Sequence, residues 1–265
     1  MIPMKKRNRW WLLPLICLLM ALAVTGLSAL AEHYRREQFF IQNLTPAQQR
    51  VKSYADRMGI SYWDYPASLI ELLERNPETE EFVLNYPFRR EDTSPLPDRS
   101  QGVPLFLQWD TRWGYSRYGS DFLAITGCGP TCLAMVGYYL TGDEAFTPDK
   151  VAAFSLDRGY YTPGSGSEWT LISRGGVELG LEVTEIPLVE KRITEPLAAG
   201  HPIICAMGPG DFTASGHYIV LVGLEDGLIR VNDPNSPLRS QTLWSYDRLR
   251  DQIRNLWLIE KRNDP

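Results

Sequence analysis

Histidine is scarce in this chain, with three in 265 residues, cysteine occurs four times, and positive charge is in deficit. Each shortage excludes something. A net charge of -5 leaves no basic surplus to neutralise phosphates, which argues against a nucleic-acid partner. No Walker-type phosphate loop occurs, so these residues carry no ATPase module. There is no internal repeat and no low-complexity tract. Hydrophobic residues at 44% and charged residues at 22% lie near globular averages, which sets disorder aside. The length suits one large domain, or a small helical piece beside a domain of ordinary size.

What is present begins with a basic cluster, Lys5-Lys6-Arg7 and Arg9, followed by an uncharged run from Trp10 to Ala31. At 1.5 Å per residue such a run can cross a bilayer core of about 30 Å. The positive flank would stay in the cytoplasm and the rest of the chain would lie outside it. Residues 1–31 are therefore expected to be a signal anchor. Ala29-Leu30-Ala31 also fits a cleavage site, which would make the segment a signal peptide and the protein secreted.

Of the four cysteines, Cys17 lies inside that run, leaving Cys128, Cys132 and Cys205. Three thiols in an exported domain cannot pair completely, so at least one stays free within the chain. A free thiol in an oxidising compartment calls for a chemical reason.

Helix signals come after the apolar run. Thr45-Pro46-Ala47-Gln48 is a cap with proline at the first helical position, and the pattern continues to Gly59. Shorter stretches run from Ala67 to Asn76 and from Glu78 to Asn85, with Leu69, Ile70, Leu72 and Leu73 at helix spacing. Residues 32–98 thus read as a helical region, either a spacer or a cap docked on the domain C-terminal to it. Arg89 to Gly102 is polar and proline-containing, and the domain boundary is placed there. Over 99–265, helix patterns come early and strand patterns late, which predicts an α+β fold.

Gly127-Cys128-Gly129-Pro130-Thr131 feeds an apolar helix running to Leu140. Pro130 suits the first helical position, because its missing N–H would have no intrahelical partner there. Cys128 then stands at the helix mouth, where the dipole and unpaired N–H groups favour a thiolate. The same N–H groups could hold an oxyanion. Cys132, one turn on, reads as a small core residue, as does Cys205 within a strand.

A general base must come from three histidines. His33 lies beside the apolar run and His201 sits in a turn-like Gly200-His201-Pro202. His217 opens the apolar strand Tyr218-Ile219-Val220-Leu221-Val222, where an imidazole needs a partner or a pocket. The next strand returns after Asp226-Gly227. A three-residue loop with Gly227 as its left-handed residue would set Leu224 opposite Leu228 and put Asp233 diagonally from His217. Ile229 and Val231 would then share the Asp233 side, facing Ile219 and Leu221. A two-residue loop would send Asp233 to the other face.

These residues resemble the bacteriocin-processing, double-glycine-leader cysteine peptidases, cysteine-peptidase family thirty-nine, and above all their stand-alone extracytoplasmic relatives. The resemblance rests on Val103-Pro104-Leu105-Phe106-Leu107-Gln108-Trp109-Asp110, then Trp113, Tyr118-Gly119, Gly127 to Thr131, Gly216-His217-Tyr218 and Asp233-Pro234. It spans roughly Val103 to Glu260 and leaves the helical region uncovered. It implies a papain-like domain over 99–265. Cys128 would be nucleophile, His217 general base, Asp233 the orienting carboxylate and Gln108 the oxyanion-hole amide. The implied substrate is an exported peptide or cell-wall peptide, with neither metal nor cofactor required. Trp109 and Trp113 would be core or groove-wall aromatics, and by the same resemblance Cys132 stands where many relatives carry serine.

Two other functions fit the same residues. One is a non-catalytic peptide- or cell-wall-binding domain on the same fold. The other is a metal site built from Cys128, Cys132, His217 and Asp233, since the two cysteines share a helix face. The stretches Pro163 to Ser167 and Gly208 to Gly210 are expected to be loops bordering a cleft.

Overall fold

The computed structural model describes residues 12–262. Its first element is helix α1 (Leu12–Gln42). This helix runs past the uncharged stretch because neither proline nor glycine intervenes between Ala31 and Gln42. Among the described residues no helix is long and apolar enough to cross a membrane. The membrane segment expected over 1–31 therefore finds no support here, and its basic flank, Lys5 to Arg9, lies outside the described residues.

Three helices come next: α2 (Pro46–Met58), α3 (Ala67–Arg75) and α4 (Glu80–Leu84). Thr45 and Gln48 form a reciprocal capping box at the start of α2, and Gly59 takes the left-handed conformation that ends it. Leu69, Ile70, Leu72 and Leu73 are all buried. With Val51, Ala55 and Phe82 they join one apolar cluster that continues into Phe122 and Ala124. The exposed Arg50–Glu80 pair adds at most about 1 kcal/mol, whereas each buried leucine contributes roughly 1.5–3 kcal/mol. Apolar burial therefore holds residues 44–88 against the rest of the chain.

Beyond residue 99 the fold is α+β, with helices first and a sheet later. Short pairs β1 (Arg117–Tyr118) and β2 (Asp121–Phe122) lead into α5 (Leu123–Thr126), then α6 (Cys128–Thr141) and α7 (Pro148–Asp157). A small hairpin, β3 (Tyr161–Thr162) with β4 (Gly166–Ser167), and a short helix α8 (Gly176–Glu178) precede the main sheet. That sheet is six-stranded and antiparallel. Its members are β5 (Leu181–Glu185), β6 (Ile203–Met207), β7 (His217–Glu225), β8 (Leu228–Asn232), β9 (Leu243–Trp244) and β10 (Ile253–Lys261). Their spatial order is β5-β10-β6-β7-β8-β9.

Strand alternation splits the core in two. Ile204, Ala206, Tyr218, Val220 and Trp257 share a cluster with the apolar residues of α6. Ile203, Cys205, Ile219, Leu221, Ile229 and Val231 share the other with Ile193 and Leu197 of α9 (Glu190–Ala198). Strand β6 is buried at every position because a helix covers each of its faces. Helix α6 is buried from Gly129 to Gly137, and its start is fixed against the sheet as firmly as its middle.

The β7–β8 hairpin differs from the expected three-residue loop. Glu225 pairs with Leu228 across a two-residue turn, Asp226-Gly227, with φ of 50° and 80°. Positive φ at both positions is the type I′ geometry that aspartate-glycine favours, and its twist matches the strands. The ladder then shifts between Leu221 and Gly223, so Val222 is an extra residue. Beyond that bulge Leu221 faces Val231 and Val220 faces Asn232. That is the register the longer loop would have given, so turn and bulge offset each other. Asp233, one residue past the end of β8, lies within reach of His217.

Candidate active site

Cys128 is the first residue of α6, after an N-cap at Gly127 that offers no side-chain bond. The helix therefore starts two residues earlier than Pro130 suggests. Proline occupies the third helical position, still in the first turn, where its lack of an N–H costs nothing. The first backbone bond here runs from the Thr131 N–H to the Gly127 carbonyl at 3.0 Å.

Glycine at 129 is a packing requirement. A Cβ there would stand 2.6 Å from Ser167 Oγ and 2.7 Å from Ser167 Cβ. Ser167 cannot retreat freely, since its hydroxyl bonds Tyr118 at 2.8 Å and its carbonyl accepts from the Tyr218 hydroxyl at 3.2 Å. Gly129→Ala should destabilise the fold by about 1–3 kcal/mol through overpacking. A thermal melt reads this directly, and an unchanged melting temperature would contradict the contact.

His217 is almost fully enclosed and Asp233 completely so. The His217 ring bonds Asp233 Oδ1 through Nε2 at 2.7 Å. Its other nitrogen, Nδ1, is then the one left for the Cys128 thiol, with which His217 also shares a hydrogen bond. Burial opposes charge on all three groups, yet their mutual contacts outweigh it. The His217 hydrogen bond and charge, with the backbone N–H groups of Tyr218 and Gly129, bring the Cys128 thiol below its ordinary pKa. The Asp233 charge and hydrogen bond, with those of Cys128, push His217 up to about 10. His217 and Arg239 together hold Asp233 below the usual carboxylate range. The shifts of Cys128 and His217 both favour a thiolate beside an imidazolium.

The other predicted residues are placed less simply. Gln108 is buried, and its side-chain amide donates to the Ala124 carbonyl at 2.7 Å, one turn before Cys128. Its Oε1 is buried without a hydrogen-bond partner among the described residues. The Nε2 group keeps a second N–H that this bond does not use. Cys132 is fully buried, and desolvation first, then the nearby Cys128 and Asp233 charges, keep it a thiol. Cys205 is likewise buried and protonated. Among the described residues no group of three or more histidine, cysteine or acidic side chains is placed to hold a metal ion. Asp233 has no oxygen to spare, because Oδ1 also accepts from the Asn235 N–H at 2.8 Å and Oδ2 pairs with Arg239. His201 pairs with Glu260 at 3.4 Å, away from the cleft. The side chain of His33 lies outside those described.

Arg239 was not visible in the sequence as part of the site. It sits on α10 (Pro237–Gln241), a five-residue helix capped by Ser236, whose hydroxyl accepts from the Arg239 N–H at 3.1 Å. Ser-Pro three residues after Asp233 is the only local signal of that helix. Ser240 Oγ also accepts from the Asp233 N–H at 2.9 Å. Trp109, expected as a wall aromatic, donates through its indole N–H to the Asn235 carbonyl at 3.1 Å, while Trp113 is a core residue.

Cys128 and His217 open onto a cleft of about 810 Å³. Thr126 and the Gly164–Trp169 loop line one part of it, and Met207, Gly208 and Pro209 another. Both glycine-rich stretches singled out in the sequence thus border it. Trp169 is half exposed there and its ring meets Trp257 edge-on at 5.9 Å. The arrangement offers a thiol poised to ionise, a proton on the adjacent imidazole and a cleft that both groups line.

A model of the Peptidase_C39 like family matches residues 100–264. Among solved structures, the peptidase domain of Streptococcus ComA, a bifunctional ABC transporter involved in a quorum-sensing pathway, is similar at 21% identity. It covers 52% of this chain and 93% of its own, with a TM-score of 0.40. A C39-like peptidase from Bacillus anthracis is similar at 15% identity over 61% of this chain and 96% of its own, with a TM-score of 0.41. No curated protein matches.

Proposed function

This chain belongs to the Peptidase_C39 like family, and from that premise we propose that it is a cysteine peptidase hydrolysing peptide or isopeptide bonds through Cys128, His217 and Asp233. One observation carries the reading. Asp233 takes Nε2 of His217, which turns Nδ1 to the thiol at the mouth of α6.

In the proposed reaction the Cys128 thiolate attacks the carbonyl carbon of the scissile amide. Backbone N–H groups at the start of α6 and the second amide hydrogen of Gln108 stabilise the oxyanion. The carbon–nitrogen bond breaks as the His217 imidazolium protonates the leaving amine, leaving a thioester and a neutral imidazole. Water then attacks the thioester, giving one proton to His217 and releasing the acid, which regenerates the ion pair. Asp233 stays ionised throughout and orients the ring. The substrate class proposed is an exported or cell-wall peptide laid along the cleft.

Thiol labelling separates this from a binding domain that keeps the fold without turnover. An ordinary cysteine with a pKa near 8.5 is only about 0.3% thiolate at pH 6. Cys128 beside His217 should react with iodoacetamide far faster there, and His217→Ala should slow it on the order of tens-fold to 100-fold. The range allows for the weaker nucleophilicity of a low-pKa thiolate. Cys132 and Cys205 are buried thiols, and with Cys17→Ser in every protein compared the signal is left to Cys128. Equal rates with and without His217 would favour the binding domain.

A further inference from the structure

The acid of the triad lies just past the end of a strand, and the turn that follows it is gripped by side chains from outside the family match. Asp233 begins a turn, Pro234-Asn235-Ser236, that leads into α10 and Arg239. Two residues of the helical region grip that turn. Asn76 donates through Nδ2 to the Asn235 carbonyl at 2.6 Å, while its Oδ1 accepts from the Glu78 N–H at 3.1 Å. Glu78 accepts the Ser236 hydroxyl on Oε1 and the Leu238 N–H on Oε2 at 3.0 Å. Ser236 is buried and is itself the cap that receives the Arg239 N–H. The chain of contacts runs Glu78, Ser236, Arg239, Asp233, His217, and His217 in turn favours ionisation of Cys128.

We infer that Glu78, with Asn76 beside it, is a positioning residue for the catalytic triad, so that residues 44–88 set the activity of the domain they dock on. The inference rests on the peptidase reading but is measured separately from it. Without Glu78, Ser236 loses the acceptor for its hydroxyl, and the first turn of α10 loses the acceptor for the Leu238 N–H. Arg239 then holds Asp233 less firmly, and Asp233 holds His217 less firmly. A weaker Asp233–His217 contact makes the imidazolium easier to deprotonate and the thiol harder to ionise. The pH window of the ion pair narrows from both sides.

Full-length Glu78→Ala is compared with wild type by the pH profile of iodoacetamide labelling and, once a substrate is found, by kcat and KM. The expected result is a narrowed labelling profile and kcat down about tenfold with KM little changed, the size usual for an outer partner that orients a reacting group. Glu78→Gln, which keeps one acceptor oxygen, should recover part of the loss and is measured if the alanine variant does not fold. Glu80→Gln breaks the exposed Arg50 pair in the same region and should leave the profile in place. A purely structural role would lower the melting temperature of Glu78→Ala and leave the labelling profile unmoved, which would overturn the inference. If labelling is independent of His217 as well, the peptidase reading fails; if only the Glu78 variants are silent, the reading stands and the inference falls.

Discussion

Digestion of a peptide library by the wild-type protein should disappear on Cys128→Ala, with a loss on the order of 10⁴-fold or more. Cys128 is the only one of the three thiols from residue 99 onward that reaches the cleft, and both neighbours are buried in the core. No other residue could take over the covalent step. Cys128→Ser is the sharper companion. Serine fits the same space at the mouth of α6, but the imidazolium that ionises a thiol leaves a hydroxyl protonated, because the alcohol pKa lies far higher. The serine protein should fold as the wild type does and still fail to cleave. Cleavage surviving the alanine change would end the peptidase reading, whatever the state of the pocket.

Asp233→Asn should cost on the order of 10²–10⁴ in kcat/KM and move the alkaline limb of the pH profile. The sign depends on which form needs the proton. In the wild type, Asp233 and Cys128 hold His217 protonated up to about 10, so the imidazolium persists through neutral pH and is lost only as pH rises past that value. Asparagine removes the charge, and the ring falls back toward its ordinary value of about 6.5. The limb should shift acid-ward by about 3 pH units, and the thiol should ionise later in the same experiment. Asparagine also leaves Arg239 facing a neutral amide and can present an N–H where His217 Nε2 expects an acceptor. A variant whose alkaline limb stays near 10 would show that Asp233 does not govern the ring.

The proposed nucleophile was the most legible part of the candidate site. Gly127-Cys128-Gly129-Pro130 before an apolar helix carries its own physics, and the structure moves only the helix start. His217 could be found by elimination, since so few histidines exist. Asp233 was reached through a turn of the wrong length. Periodicity could not show the extra residue at Val222, because an apolar residue more or less in an apolar strand leaves no mark. Arg239, Asn76 and Glu78 were illegible for another reason. Each is an ordinary polar residue in a short helix or turn, and Glu78 lies more than 150 positions from its partners. Long-range hydrogen bonds between polar residues have no local pattern. The docking of the helical region was readable only as a greasy face on α3. The surface it docks on, Phe122 and Ala124, carries no pattern in the sequence that sets it apart.

Strand β10 is the last strand in the chain, yet it lies inside the sheet, hydrogen-bonded to β5 on one side and β6 on the other. A chain emerging from its N-terminus therefore makes the Cys128 helix and the His217 strand long before the sheet beneath them can close. Until Ile253 to Lys261 arrive, β5 and β6 have no shared partner, and the α6 side of the core lacks Trp257. The order of synthesis thus works as a delay, in which the candidate site is finished as a sequence well before it is finished as a fold.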